Sequence, residues 1–156
     1  MRLKFIFIGR TRQSYLAEGV ADYLKRIRPY LPTEELILKE TKVKNEREAA
    51  RIRLQDTTRI LTSLKSEDVF VLLDPDGQAM TSLELAEWLK RQMDRGVKTV
   101  AFGLGGPLGL DRMAKGKADL CLSLSRLTLT HEMSRLVLLE QVYRALRLTA
   151  GHPYHK

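Results

Sequence analysis

The chain has 156 residues, 44% of them hydrophobic, enough for one domain with a real core. Lys and Arg number 27 against 19 Asp and Glu, and the net charge of +8 favours a polyanionic partner, most often nucleic acid. No apolar run reaches the roughly 18 residues of a membrane span, and no basic helix carries a Trp or Phe face, so a membrane is the last partner to consider.

The elements alternate along the chain. Residues 2–8, "RLKFIFI", form a first strand; the opening "MRLKFIFIGR" lacks the small-residue cleavage site of a signal peptide. Residues 13–28 form a helix with Leu16, Val20, Tyr23, Leu24 and Ile27 on one face, stopped by Pro29 and Pro32. "EELILKE" is a short strand, and residues 45–62 are a charged helix anchored by Ile52, Ile60 and Leu61. "DVFVLLD", 68–74, is a buried strand closed by the turn "DPDG". "TSLE" at 81–84 is a capping box that opens a helix to about residue 94. "VKTVAFG" is the next strand, and a short helix follows from Asp111. "DLCLSLS" alternates as a strand and buries Cys121 as an inert thiol. This single cysteine excludes an internal disulfide framework and fits a reducing cytoplasm. The last helix runs over about 132–149, with Leu136, Val137, Leu139, Val142, Tyr143 and Leu146 as a stripe wide enough for the sheet and a second subunit.

Strands separated by helices predict a Rossmann-like α/β domain over 1–156, with a parallel sheet between two helical layers. Ligands of such sheets bind beyond the carboxyl ends of the strands. Three strand ends, "LLDPDG", "FGLGGPLG" and "LSRLTLTH", therefore build one pocket if they are neighbours. The middle one holds Gly103, Gly105, Gly106 and Gly109, which let backbone approach a ligand closely. It is not a dinucleotide fingerprint: counting from Gly103, the third glycine of G-x-G-x-x-G falls on Leu108. No G-x-x-x-x-G-K-[ST] string occurs either. Leucines, bare backbone and the hydroxyls of Ser125, Thr128 and Thr130 suit an adenosine-like ligand better than a triphosphate.

All three histidines, His131, His152 and His155, lie near the C-terminus. "HEMSR" matches the zinc motif H-E-x-x-H only partly, because Arg135 takes the place of the second His; no metal is expected. His131 either caps the last helix or serves the neighbouring pocket. The tail "GHPYHK" is either a loose end or a cover whose Tyr154, His155 and Lys156 stack on a base and contact phosphate.

The series "LLDPDG", "GLGGPLGL", "LSLSRLTLTHEMSRLVLLEQVYRALRL" and terminal "HPYHK" resembles the ribosomal large-subunit methyltransferase H family, a branch of the SPOUT methyltransferases. The resemblance covers essentially the whole chain, including "YLKRIRPYLP". It implies an α/β fold whose C-terminal segment threads a trefoil knot, an exception to the rule against knots. It also implies a cytoplasmic homodimer that binds S-adenosylmethionine in the knot. Its substrate would be N3 of a pseudouridine in 23S rRNA, in the helix 69 hairpin of the assembled ribosome. The donor would contact Leu73, Gly106 and the run Ser125, Arg126, Leu127, Thr128, Leu129 and Thr130, where Thr130 stands in place of the family's frequent Pro.

On that reading the imide N3–H must lose its proton, and four residues are candidates for the chemistry. His155 is a base, Arg135 a stabiliser of the developing charge on O2 or O4, Tyr154 a stacking platform, and His131 a positioning group. The rivals are a non-catalytic ribosome-binding factor and, against the failed fingerprint, a dinucleotide-dependent enzyme.

Overall fold

The computed structural model describes residues 1–42 and 45–151. Five strands form one sheet: β1 (Arg2–Ile8), β2 (Thr33–Leu38), β3 (Val69–Ala79), β4 (Thr99–Leu104) and β5 (Leu120–Ser123). Every pairing is parallel, and the order across the sheet is β2-β1-β4-β3-β5. The helices are α1 (Ser14–Ile27), α2 (Ala49–Thr62), α3 (Ser82–Asp94), α4 (Arg112–Lys117) and α5 (His131–Thr149). They cover both faces, as the alternation of elements predicts.

The period of two along each strand divides the core. Leu3, Phe5 and Phe7 of β1, Val71 and Leu73 of β3, and Val100 and Phe102 of β4 point to one face. There they meet Val20, Leu24 and Ile27 of α1, Leu85 and Leu89 of α3, and Leu138, Leu139 and Val142 of α5. Ile6, Ile8, Phe70, Leu72 and Ala101 point the other way, onto Ile60 of α2 and Ala114 of α4. Gly103 belongs to this second layer: a Cβ there would lie 2.7 Å from the Phe70 ring, so glycine makes room for packing rather than for a ligand. The predicted capping box is present, with the Thr81 hydroxyl accepting from Glu84 N and the Glu84 carboxylate accepting from Thr81 N.

The structure corrects the reading of "DPDG". These residues do not end β3. The Asp74 carboxylate accepts from Asp76 N at 2.8 Å, a local turn, and the strand then resumes. Leu122 of β5 pairs with Leu73 before the bend and with Gln78 after it. Gly77 lies so close to β5 that a Cβ would meet the Cys121 carbonyl at 2.7 Å. Cys121, expected to be buried, is only partly so. Among the described residues no helix is long and apolar enough to cross a membrane.

Candidate active site

β3, β4 and β5 are neighbours, so the three expected strand ends do meet. Together with the head of α5 they enclose a cavity of about 600 Å³, within the roughly 300–1,000 Å³ of small-molecule sites.

The floor is the segment from β4 to α4. Gly109 takes a left-handed φ of +72° and donates its N–H to the Gly106 carbonyl at 3.0 Å, which closes the turn. Gly105 sits where the loop folds on itself, since a Cβ there would lie 2.8 Å from Leu110 Cγ and 3.1 Å from the Gly109 carbonyl carbon. Gly106 is less constrained, because its Cβ would meet Ile8 Cγ2 at an ordinary 3.4 Å. The four glycines therefore serve different ends: packing at 103, loop closure at 105, slack at 106 and backbone conformation at 109. The loop is pinned at its far end. Asp111 N donates to the buried Thr57 hydroxyl at 2.8 Å, and the Asp111 carboxylate caps α4 through Met113 N.

The opposite wall is the segment from β5 to α5. The Ser125 hydroxyl accepts from Leu127 N at 2.9 Å, turning the chain so that Leu127 stands exposed over the cavity. Thr130 caps α5, its hydroxyl accepting from Met133 N at 3.2 Å. Leu73, Gly106, Ser125, Leu127, Thr128, Leu129 and Thr130 all line the cavity. Arg126 does not; its side chain is exposed outside it. Asp74 and Gly105, from two of the expected strand ends, line it too, as do Leu110, Asp111 and Ser134, which the sequence did not single out as pocket residues.

His131 lines the cavity on the first turn of α5, 24% exposed, with Nε2 3.9 Å from Glu132 Oε1. Burial lowers its pKa, and the charge of Arg135 lowers it further; Glu132 and Glu40 pull the other way without restoring it. The lowered pKa favours the neutral imidazole.

Arg135 is corrected most. Expected to face a substrate anion, it is fully buried and lines no part of the cavity. Its guanidinium lies 5.1 Å from the centre of the Phe7 ring. Nη2 donates to the Ile8 carbonyl at 2.6 Å, and Nη1 to the Gly9 carbonyl at 2.9 Å and the Thr11 hydroxyl at 3.0 Å. The fork satisfies carbonyls at the end of β1, where the sheet no longer does, and this commits the cation to the fold. Glu132 works beside it. Its carboxylate accepts from Arg12 N at 2.9 Å and Gln13 N at 3.0 Å, so α5 holds the β1–α1 connection from both ends. Burial alone would raise the Glu132 pKa, but the N–H groups of Gln13 and Arg12 and the nearby cations outweigh it and hold it low. His155 and Tyr154 lie outside the described residues.

Leucines, bare backbone and hydroxyls around the cavity match a nucleoside-type ligand. Among the described residues the lining includes no Lys or Arg, which disfavours a polyphosphate and suits a donor that carries its own positive charge. Fold and site together define an α/β enzyme that takes a nucleoside-type cofactor at the carboxyl edge of a parallel sheet. A family model described as "Predicted SPOUT methyltransferase" matches residues 1–155, and the chain belongs to that family. It is a methyltransferase, and its methyl donor is S-adenosylmethionine. It is similar to a protein of Geobacter sp. (strain M21) named ribosomal RNA large subunit methyltransferase H, 40% identical over 155 residues and 99% of both chains. Proteins of the same name from Lactococcus lactis subsp. lactis (strain IL1403) and Streptococcus pneumoniae (strain CGSP14) are 35% and 36% identical over the full length of both chains.

Proposed function

We propose that this enzyme methylates ribosomal RNA of the large subunit, at N3 of a pseudouridine in the helix 69 hairpin of 23S rRNA on the assembled ribosome. The observation that carries the reading is the cavity itself: a donor-sized chamber whose wall, Ser125 and Leu127–Thr130, runs directly into His131. The names of full-length relatives support the rRNA substrate. The net charge of +8 supports a polyanion. The proposal includes a cytoplasmic homodimer and a C-terminal segment threaded as a trefoil knot, both drawn from the resemblance.

Leu73, Gly106, Ser125 and Leu127–Thr130 would hold S-adenosylmethionine, with Arg126 joining Ser125 to Leu127 outside the cavity. The bound donor supplies an electrophilic methyl group; the protein supplies orientation and a nucleophile. N3 of pseudouridine becomes nucleophilic when its imide proton leaves. We assign that proton to His155 of the tail, with Tyr154 stacked on the base. Neutral His131, in the cavity wall, orients the pair. Arg135 acts at a distance, by fixing the first turn of α5 on which His131 stands.

Ribosomes from cells lacking the protein, incubated with the purified enzyme and S-adenosylmethionine, should gain one methyl group on one pseudouridine, read by mass mapping of rRNA fragments. An unchanged fragment map, with donor binding intact by calorimetry, would sink the substrate assignment and leave the methyltransferase standing.

A further inference from the structure

Resting on the rRNA reading above, we propose that the exposed segment Arg10–Tyr15 grips the RNA strand that flanks the target nucleotide. Tyr15 stacks on a neighbouring base, and Arg10 and Arg12 contact its phosphates.

The chemistry of the segment is that of a single-strand binder. "RTRQSY" interleaves two cations, an amide, a hydroxyl and a ring, and Arg10, Arg12, Gln13, Ser14 and Tyr15 are all exposed. Tyr15 leaves 64% of its surface in water on the first turn of α1. A ring held in the open beside cations is what an unstacked base binds, because every base offers a π-face whatever its sequence.

Its placement is the second argument. Five hydrogen bonds from α5 fix the connection: Glu132 accepts from Arg12 N and Gln13 N, and Arg135 donates to the Ile8 and Gly9 carbonyls and the Thr11 hydroxyl. The same turn of α5 puts Thr130, His131 and Ser134 into the cavity wall. Segment and cavity thus share one rigid support, and a strand lying on Arg10–Tyr15 delivers its next nucleotide to the cavity mouth. Among the described residues the Arg12 guanidinium pairs with Glu40 alone, through an ion pair of 2.6 Å in which the Arg12 side chain is 69% and that of Glu40 24% exposed. So exposed a pair is weak, and an RNA phosphate can take the guanidinium over. The other occupant such a surface could have is a second copy of the chain, and the test separates the two.

The test uses full-length protein and ribosomes from cells lacking it. Tyr15→Ala should raise KM for ribosomes roughly tenfold, in line with the loss of one base stack, with kcat and calorimetric donor affinity unchanged and Tyr15→Phe near wild type. The double variant Arg10→Gln, Arg12→Gln should weaken ribosome binding and flatten its salt dependence by about two phosphate contacts. Light scattering should find the oligomeric state of all variants that of wild type. Two results overturn the proposal: an unchanged KM and salt slope, or a change of oligomeric state, which would assign the surface to contact between copies. Sedimentation of the variants with ribosomes reads the surface without methyl transfer. If wild type binds and Tyr15→Ala does not, the surface stands even where the rRNA target proves wrong.

Discussion

Arg135 and His131 lie four residues apart on one helix and do opposite work. Arg135 gives both terminal nitrogens of its fork to the end of β1 and the residues just after it, so removing it leaves the carbonyls of Ile8 and Gly9 without these donors, each costing about 1–3 kcal/mol. Arg135→Ala should therefore lower unfolding free energy by about 3 kcal/mol or more in urea titrations. Arg135→Lys should recover only part of that, since one ammonium cannot span carbonyls that the planar fork meets together. Full stability in the lysine variant would contradict this. His131 stays in the cavity wall with a pKa held down chiefly by burial. Its folded value is below its unfolded one, so the unfolded chain takes up the proton first. The stability it contributes is present above the ordinary value near 6.5 and is lost as pH falls through the folded value. His131→Asn should remove that acid limb from a plot of stability against pH. If neutral His131 also orients the reacting groups, methyl transfer by wild type should fall over the same acid range.

At the scale of elements, the glycine loop gives the sharpest contrast. Gly105→Ala puts a methyl 2.8 Å from Leu110 and should weaken donor binding at least about tenfold, the loop having to open to relieve the overlap. Gly106→Ala meets Ile8 at 3.4 Å and should bind the donor within about twofold of wild type. Calorimetry with circular dichroism as control checks both, and equal affinities for the two variants would show that loop closure does not govern the pocket. The alternation of strands and helices was legible because hydrophobic period and turn residues agree along the chain. The meeting of the three strand ends at one cavity was legible for the same reason. The passage at 74–77 was not: Asp-Pro-Asp-Gly carries every local mark of a terminating turn. What overrides it is non-local, the resumed pairing of Gln78 with Leu122 and the seat of Gly77 against β5. Asp56 and Thr57 were hidden for a related reason. The charged pattern of α2 gave no sign of them, and only the arrival of Asp111 N shows what Thr57 is for. The spacing of His131 and Arg135 showed that they share a face; the buried end of β1 that claims the arginine lies 126 and 127 residues away.

For the molecule as a whole, truncating the tail tests whether binding and chemistry can be separated. Truncation after Gly151 removes His152, Tyr154, His155 and Lys156 but no part of the sheet or of α5. Thermal stability and donor affinity should be retained, and methyl transfer to ribosomes should fall about 100-fold, the lower end of what a general base contributes. Transfer at the full rate by the truncated protein would move the base to His131 or to water. The clasp between α5 and the β1–α1 connection also sets an order in time. Its partners stand 119 to 127 residues apart, so the first loop to leave the translating ribosome waits for the last helix. Until α5 docks, the carbonyls of Ile8 and Gly9 have no donor from it and the cavity lacks a wall. A chain that ends before α5 should therefore fail to bind the methyl donor, because the wall of the cavity and the support of the β1–α1 connection both arrive with that helix.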